Sequence, residues 1–156
     1  MRTIRRATRE DAEIILAIQK RAFAEEGRRC KNWTIPPLTE SLDAIIDHIE
    51  TQTVFVACNG TQVIGSARGL SAGAECTIRG VSVEPEHQGS GVGSRLLRAL
   101  ESSYPAATRF ELLTNTCLPG NVRFYERHGY VVAELRRFTE TIELAFMTKA
   151  GSPAVS

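Results

Sequence analysis

The segment Gln88-Gly89-Ser90-Gly91-Val92-Gly93 constrains this chain more than any other, because it places three glycines between a predicted strand and a predicted helix. Without side chains, the backbone can approach a ligand closely. It can also reach the positive φ values that turn successive N–H groups inward as an anion nest. The helix starting near Gly91 adds unpaired N–H groups and about half a positive charge at its N-terminus. A pyrophosphate is the natural occupant of such a place. From Gln88 to Leu100 there is no acidic residue, whereas Arg95 and Arg98 are present. Cations at a helix N-terminus are unfavourable unless an anion sits nearby, so the charge pattern supports the same reading.

Two better-known phosphate loops do not fit. The P-loop ends in Gly-Lys-Ser/Thr, but this loop ends Gly93-Ser94-Arg95. The dinucleotide fingerprint needs its first glycine at the turn directly after the strand. Here Glu84-Pro85-Glu86-His87-Gln88 intervenes, the last glycine comes one residue early, and the acid about twenty residues on, Glu111, falls mid-strand.

The surrounding pattern predicts a single α/β domain over residues 1–149, with a flexible tail over 150–156. A short strand over Thr3 to Arg6 leads into Thr8-Arg9-Glu10-Asp11, which has the form of a capping box. Ile14, Ile15, Ile18, Ala22 and Phe23 then recur at helical spacing, and Gly27 is the expected stop. An irregular stretch over 28–39 carries Trp33, Pro36 and Pro37. Leu42, Ile45, Ile46 and Ile49 mark a second helical face. Asn59-Gly60 between two apolar runs predicts a β-hairpin, since both residues tolerate positive φ. A strand over Glu75 to Val83 precedes the glycine loop, and Leu96, Leu97 and Leu100 form the buried face of the helix behind it. Arg109 to Thr114 reads as a strand and Asn121 to His128 as a helix, with Gly129 at a left-handed position. Val131-Val132 and the stretch from Phe138 to Met147 close the chain as strands. A hairpin followed by β-α-β units predicts a mixed central sheet with helices on both faces.

The formal net charge is +1, which gives no broad field for nucleic acid. No apolar run reaches the roughly 20 residues needed to span a bilayer, and the N-terminus turns polar before any signal-peptide core could form. A cytoplasmic protein is therefore expected. Cys30, Cys58, Cys76 and Cys117 show no C-x-x-C spacing and no histidines that complete a zinc set. They are read as free thiols, with no metal.

Residues 81–97 resemble the central motif of the GNAT superfamily of acetyl-CoA-dependent N-acetyltransferases. Its Gln/Arg-x-x-Gly-x-Gly/Ala signature is met by Gln88, Gly91 and Gly93. Asn121-Val122-Arg123-Phe124-Tyr125-Glu126-Arg127-His128-Gly129-Tyr130 resembles the family's second motif, in the expected order and separation. The resemblance implies a GNAT-like fold over nearly the whole chain and acetyl-CoA as co-substrate. It implies that Val81, Ser82 and Val83 pair through their backbones with the pantetheine arm, as an added strand would. Gln88, Gly89, Ser90, Gly91, Val92, Gly93 and Ser94 would hold the pyrophosphate, and Asn121 would lie near the arm. Read without the family, Asn121 is equally a helix N-cap.

Amide formation from a thioester needs a neutral amine, a polarised carbonyl and a proton for the departing thiolate. A phenol suits the last task, since a tyrosine near pKa 10 is close enough to a thiol near 8.5 for transfer. Tyr125 is the candidate acid because it matches the family's tyrosine. Where relatives use a carboxylate base on the strand before the loop, this sequence has Thr77. Glu75 shares that strand face by period-two alternation and is the candidate base. Glu84, Glu111 and His87 are further possibilities, with Glu84 read first as a solvated acid. Glu25 and Glu26 read first as solvated charges at a helix end, with attraction of a cationic amine as the alternative. Trp33 is either a pocket wall or a core cover.

The acceptor implied is the primary amine of a small molecule or amino acid. The alternatives are a macromolecule, either a protein amine or aminoacyl-tRNA, and a non-catalytic acyl-CoA binding module. Nucleic acid and membrane are not expected as partners, and a homodimer is an expectation drawn from relatives.

Overall fold

The structure, a computed structural model, describes residues 2–151. Seven strands form one mixed sheet: β1 (Arg2–Arg6), β2 (Thr53–Asn59), β3 (Gln62–Ala72), β4 (Glu75–Val83), β5 (Arg109–Asn115), β6 (Val131–Arg137) and β7 (Glu143–Ala150). Their spatial order is β1-β2-β3-β4-β5-β7-β6. Only β4 and β5 pair in parallel, through the crossover helix α4 (Val92–Ser102). The other helices are α1 (Ala12–Arg29), the single turn α2 (Pro36–Thr39), α3 (Leu42–Thr51) and α5 (Pro119–Glu126).

Alternation along the strands feeds two cores, one on each sheet face. Ile15, Ile18 and Ile45 from α1 and α3 pack on Val54, Val56 and Val63 on one side. On the other, Leu96, Leu97 and Leu100 of α4 are fully buried against Ile64, Ile78 and Leu112, with Val122, Phe124 and Tyr125 of α5 at the margin. Each such leucine contributes about 1.5–3 kcal/mol of burial. The sheet with helices on both faces is the expected α/β fold. The Asn59-Gly60 hairpin forms, with Gly60 at φ 63°.

Several boundaries differ from the sequence reading. Gly27 does not stop α1, which runs on to Arg29. A Cβ at Gly27 would sit 2.7 Å from Leu38 and 2.9 Å from Trp33, so this glycine serves close packing inside a helix. Asp11 does accept the Thr8 N–H at 2.7 Å, as a capping box requires, but across a 3-10 turn (Arg9–Asp11) that precedes α1. Phe138 lies in the β6–β7 turn and not in a strand, because β6 runs from Val131 to Arg137 instead of ending at Val132. Ala150 belongs to β7 and Gly151 donates to the Thr108 carbonyl at 2.9 Å, so the sheet extends past the expected domain end. The remainder of the expected tail, 152–156, lies outside the described residues.

The cysteines differ most. Cys30 and Cys117, 87 residues apart, form a disulfide; Cys58 and Cys76 are free and buried. Spacing along the chain could not reveal the pair, because only the fold brings the end of α1 against the loop after β5.

Candidate active site

Two irregularities in the sheet create the site. β4 and β5 pair only at Glu75↔Arg109, Cys76↔Phe110 and Thr77↔Glu111, after which 78–83 and 112–115 continue without pairing to each other. The strands therefore splay, and the β5-facing edge of β4 carries backbone donors and acceptors with no strand partner. The cause lies in β4. Its register against β3 shifts between Ser66↔Ser82 and Arg68↔Arg79, a bulge built around Gly80 at φ 64°. A bulge bends its strand and increases its twist. The left-handed φ favours glycine there, and a Cβ would stand 2.7 Å from the Arg68 guanidinium, which would have to shift.

The glycine loop opens beside this edge. Gly89 and Gly91 take φ values of 78° and 89°, and a Cβ at either would meet nothing within 4 Å. Both are glycine for their backbone conformation and not for space. Gly91 is the N-cap of α4, provides no side-chain cap, and is followed by a first turn without acids. The N-terminal N–H groups of α4 thus remain available to an anion. Arg2 and Arg95 flank the loop, through Arg2 Nη1 to the Ser90 carbonyl at 3.0 Å and Arg95 Nη1 to the Arg2 carbonyl at 3.1 Å. Gln88 folds back and donates its side-chain amide to the Val83 carbonyl at 3.1 Å. Ser82 is buried, and its hydroxyl lacks a hydrogen-bond partner among the described residues.

Helix α5 packs onto the first turn of α4, where the Phe124 ring lies 3.3 Å from the Cβ position of Gly93. Tyr125 stands edge-on to both Phe124 and Tyr130, and its hydroxyl makes no hydrogen bond among the described residues. Burial, and to a lesser degree the Glu26 carboxylate, raise the phenol well above its ordinary pKa, so it stays protonated. Asn121, one turn before Tyr125, is not the N-cap of α5, a position held by Leu118. Its amide donates instead to Glu26 Oε1 at 3.0 Å.

Glu26 is the residue that sequence reasoning undervalued. Instead of pointing into solvent it is 8% exposed. Burial raises its carboxyl pKa, against the lowering effect of Asn121 and Asn115. Its position late in an amphipathic helix gave no sign of this, because the covering groups come from β5 and α5. Glu84 also departs from its expected solvated state. It is buried and forked by Arg21 at 2.5 and 2.7 Å, which holds its carboxyl below the usual range. Glu75 lies at the paired end of β4, exposed and bonded to Arg109 at 3.0 Å. Glu111 accepts from Thr77 at 3.2 Å and from Arg109 at 2.9 Å. His128 is half-buried, stacks on Phe124 and lies 2.8 Å from that residue's carbonyl. Trp33 is 57% exposed over Gly27. No cluster suited to a metal ion occurs among the described residues.

Residues 50–132, over half the chain and including the splayed strand, the loop and α5, match the family model for the acetyltransferase (GNAT) domain. The chain belongs to the GNAT family. Solved structures carry the likeness to full length. The ribosomal-protein-S18-alanine N-acetyltransferase of Escherichia coli superposes with a TM-score of 0.82 at 20% identity, covering 99% of this chain and 97% of that one. The PaiA N-acetyltransferase of Thermoplasma acidophilum, in complex with coenzyme A, gives 0.78 at 14% identity, covering 96% and 99%. A ribosomal-protein-alanine N-acetyltransferase of Brucella melitensis gives 0.75 at 20% identity, covering 95% and 99%. No curated protein matches the sequence. No helix among the described residues is long and apolar enough to cross a membrane. For this GNAT chain, the free β4 edge, the two left-handed glycines and the uncapped start of α4 are together suited to an amide-bearing arm ending in a pyrophosphate.

Proposed function

We propose that this chain is an N-acetyltransferase that moves the acetyl group of acetyl-CoA directly to the primary amine of a small molecule or amino acid. The observation that carries the reading is the splay of β4 from β5 beside the uncapped N-terminus of α4. In this reading Val81, Ser82 and Val83 bind the pantetheine arm through the main chain, and residues 88–94 bind the pyrophosphate. The Gln88 amide donates to the Val83 carbonyl, leaving that oxygen one further lone pair for a ligand donor. Asn121, held by Glu26, supports the arm from α5.

In the chemical step the amine nitrogen attacks the thioester carbon, and the C–S bond breaks as the amide forms. The thiolate takes the Tyr125 phenol proton, and the proton that the nitrogen sheds as the adduct collapses to the amide passes through water to the phenolate, restoring the phenol. Geometry supports Tyr125, whose hydroxyl has no hydrogen-bond partner among the described residues and whose surroundings keep it protonated. The amine must first lose a proton. Two carboxylates compete for that role: Glu75 by strand position, and Glu26 of α1 by burial against Asn121, which stands one helical turn before Tyr125 in α5. We favour Glu26, because Glu75 is exposed and engaged by Arg109.

Tyr125→Phe should lower kcat about 10²–10⁴-fold, as loss of a general acid does, and leave the KM for acetyl-CoA nearly unchanged. Unaltered kcat removes Tyr125 as the acid. Thiol release across a panel of amines tests the activity itself; tight coenzyme A binding with no release from any amine would favour a binding module.

A second reading, a polypeptide amino terminus as acceptor, is favoured by one observation. Leu113 of β5, paired with Phe146 of β7, is 41% exposed. An exposed apolar side chain on β5 beside the splay offers an extended chain a contact that a small amine would not use. Two of the superposed structures are ribosomal-protein-alanine N-acetyltransferases by name. Peptides with a free amino terminus, run beside single amino acids, separate the readings through kcat/KM.

A further inference from the structure

Asn115 closes β5, on the stretch that runs on past the last pairing with β4, and only 4% of it is exposed. An asparagine amide has an acceptor oxygen and two N–H donors to satisfy. Here the oxygen is taken, since Oδ1 accepts the Cys117 N–H at 2.9 Å. A backbone N–H can face only an acceptor, so this contact fixes which end of the amide is which. Cys117 is itself held by its bond to Cys30. The NH2 group, by contrast, is buried and has no hydrogen-bond partner among the described residues. A buried donor left unpaired is costly, so a group of this kind in a native fold calls for a reason.

The group it acts on is Glu26. Burial raises the Glu26 carboxyl pKa, and the amides of Asn121 and then Asn115 oppose that rise. Asn121 already donates to Oε1 at 3.0 Å. An ionised carboxylate offers about four lone-pair sites, so a second amide finds one free. Donation to the ionised form favours that form, which is the one able to take a proton from an amine. The titratable neighbours are otherwise engaged. Glu25 pairs with Arg28 and Arg29 on the exposed side of α1, Cys30 and Cys117 are joined and do not titrate, and the Tyr125 phenol of α5 keeps its proton.

We propose that Asn115 is a positioning residue for Glu26: the Cys117 N–H turns its NH2 group to the carboxylate, and two asparagine amides, from β5 and α5, hold that carboxylate in place for the incoming amine. The inference rests on Glu26 as the base proposed above. The carboxylate that β4 lacks at Thr77 is thereby supplied from α1 and oriented from β5.

NMR titration of the full chain, labelled with 13C at its glutamate carboxyls, gives the Glu26 midpoint without turnover, and Glu26→Gln identifies the signal. Asn115→Leu removes both the acceptor for Cys117 and the donor for Glu26. Asn115→Asp keeps the acceptor and replaces the donor alone. Both should move the Glu26 midpoint to higher pH with circular dichroism unchanged. In thiol release from acetyl-CoA with the most reactive amine of the panel, kcat/KM on the acid limb should fall roughly tenfold, as loss of a hydrogen bond to a charged group does. It should recover as pH rises. An unmoved midpoint in folded Asn115→Asp overturns the proposal, as does a loss of kcat/KM uniform in pH, the mark of a merely structural role. An acid limb that survives Glu26→Gln overturns the base reading, and with it any part for Asn115 in the reaction, whatever the midpoint does.

Discussion

The amide of Asn121 donates to the buried carboxylate of Glu26 at 3.0 Å, across 95 residues of sequence. The disulfide frames this bond symmetrically, since Cys30 follows Glu26 by four residues and Cys117 precedes Asn121 by four. Helix α1 is thus fastened to α5 and its leading loop beside Tyr125, once by a hydrogen bond and once covalently.

Removing the Glu26 charge should make stability less dependent on pH. Burial raises the Glu26 pKa in the folded state. The folded form therefore holds this proton more tightly than the unfolded chain, and the associated stability is complete below the unfolded value near 4.3. It is lost as pH rises through the folded value. Glu26→Gln should gain melting temperature relative to wild type between pH 4 and pH 8. A difference that is flat over this window would refute the buried-charge account.

Reduction should destabilise the fold. Closing a loop of 87 residues is worth roughly 4–5 kcal/mol on the chain-entropy model, with measured removals of about 2–5 kcal/mol. At about 2–4 °C per kcal/mol for a domain of this size, Cys30→Ser or added dithiothreitol should lower Tm by roughly 5–15 °C in calorimetry. Equal melting with and without reductant would mean that the bond does not form in solution.

Gly91→Ala should act through the backbone. The residue sits at φ 89°, with open space around its Cβ position. Alanine there costs about 1–2 kcal/mol of left-handed strain without any clash. Thermal denaturation should register that loss, and titration with coenzyme A should show weaker binding as the loop relaxes to negative φ. Full stability together with full affinity would show that the left-handed turn is dispensable.

At the other end of the molecule, Asp11 is buried between Arg5 and Thr8, bonded to the guanidinium at 2.8 and 2.9 Å and to the Thr8 N–H at 2.7 Å. Arg5, then the Thr8 amide, hold the carboxyl below its usual pKa. Its contribution is present above the unfolded value and fades as pH falls through the folded one. Asp11→Asn should cost about 1–2 kcal/mol at pH 7, reduced from a fully buried pair because Arg5 is half exposed. The cost should shrink toward pH 3 in denaturant titrations.

The sequence by itself determined the elements and the loop. Period-two and helical spacings are local properties, so the hairpin at Asn59-Gly60, the strand Glu75–Val83 and the buried leucines of α4 were readable directly. The left-handed glycines at 89 and 91 and the acid-free start of α4 were readable as well, because φ and helix-end charge are also set locally. Gly27 misled, since its reason is a contact with Leu38 and Trp33 made by chain that folds back on it. Only tertiary structure decided the splay of β4 from β5, the burial of Glu26 and Glu84, the Asn121 contact and the Cys30–Cys117 bond. Each depends on which distant segment arrives alongside, and burial and ionisation are properties of that encounter, not of the residue that undergoes it.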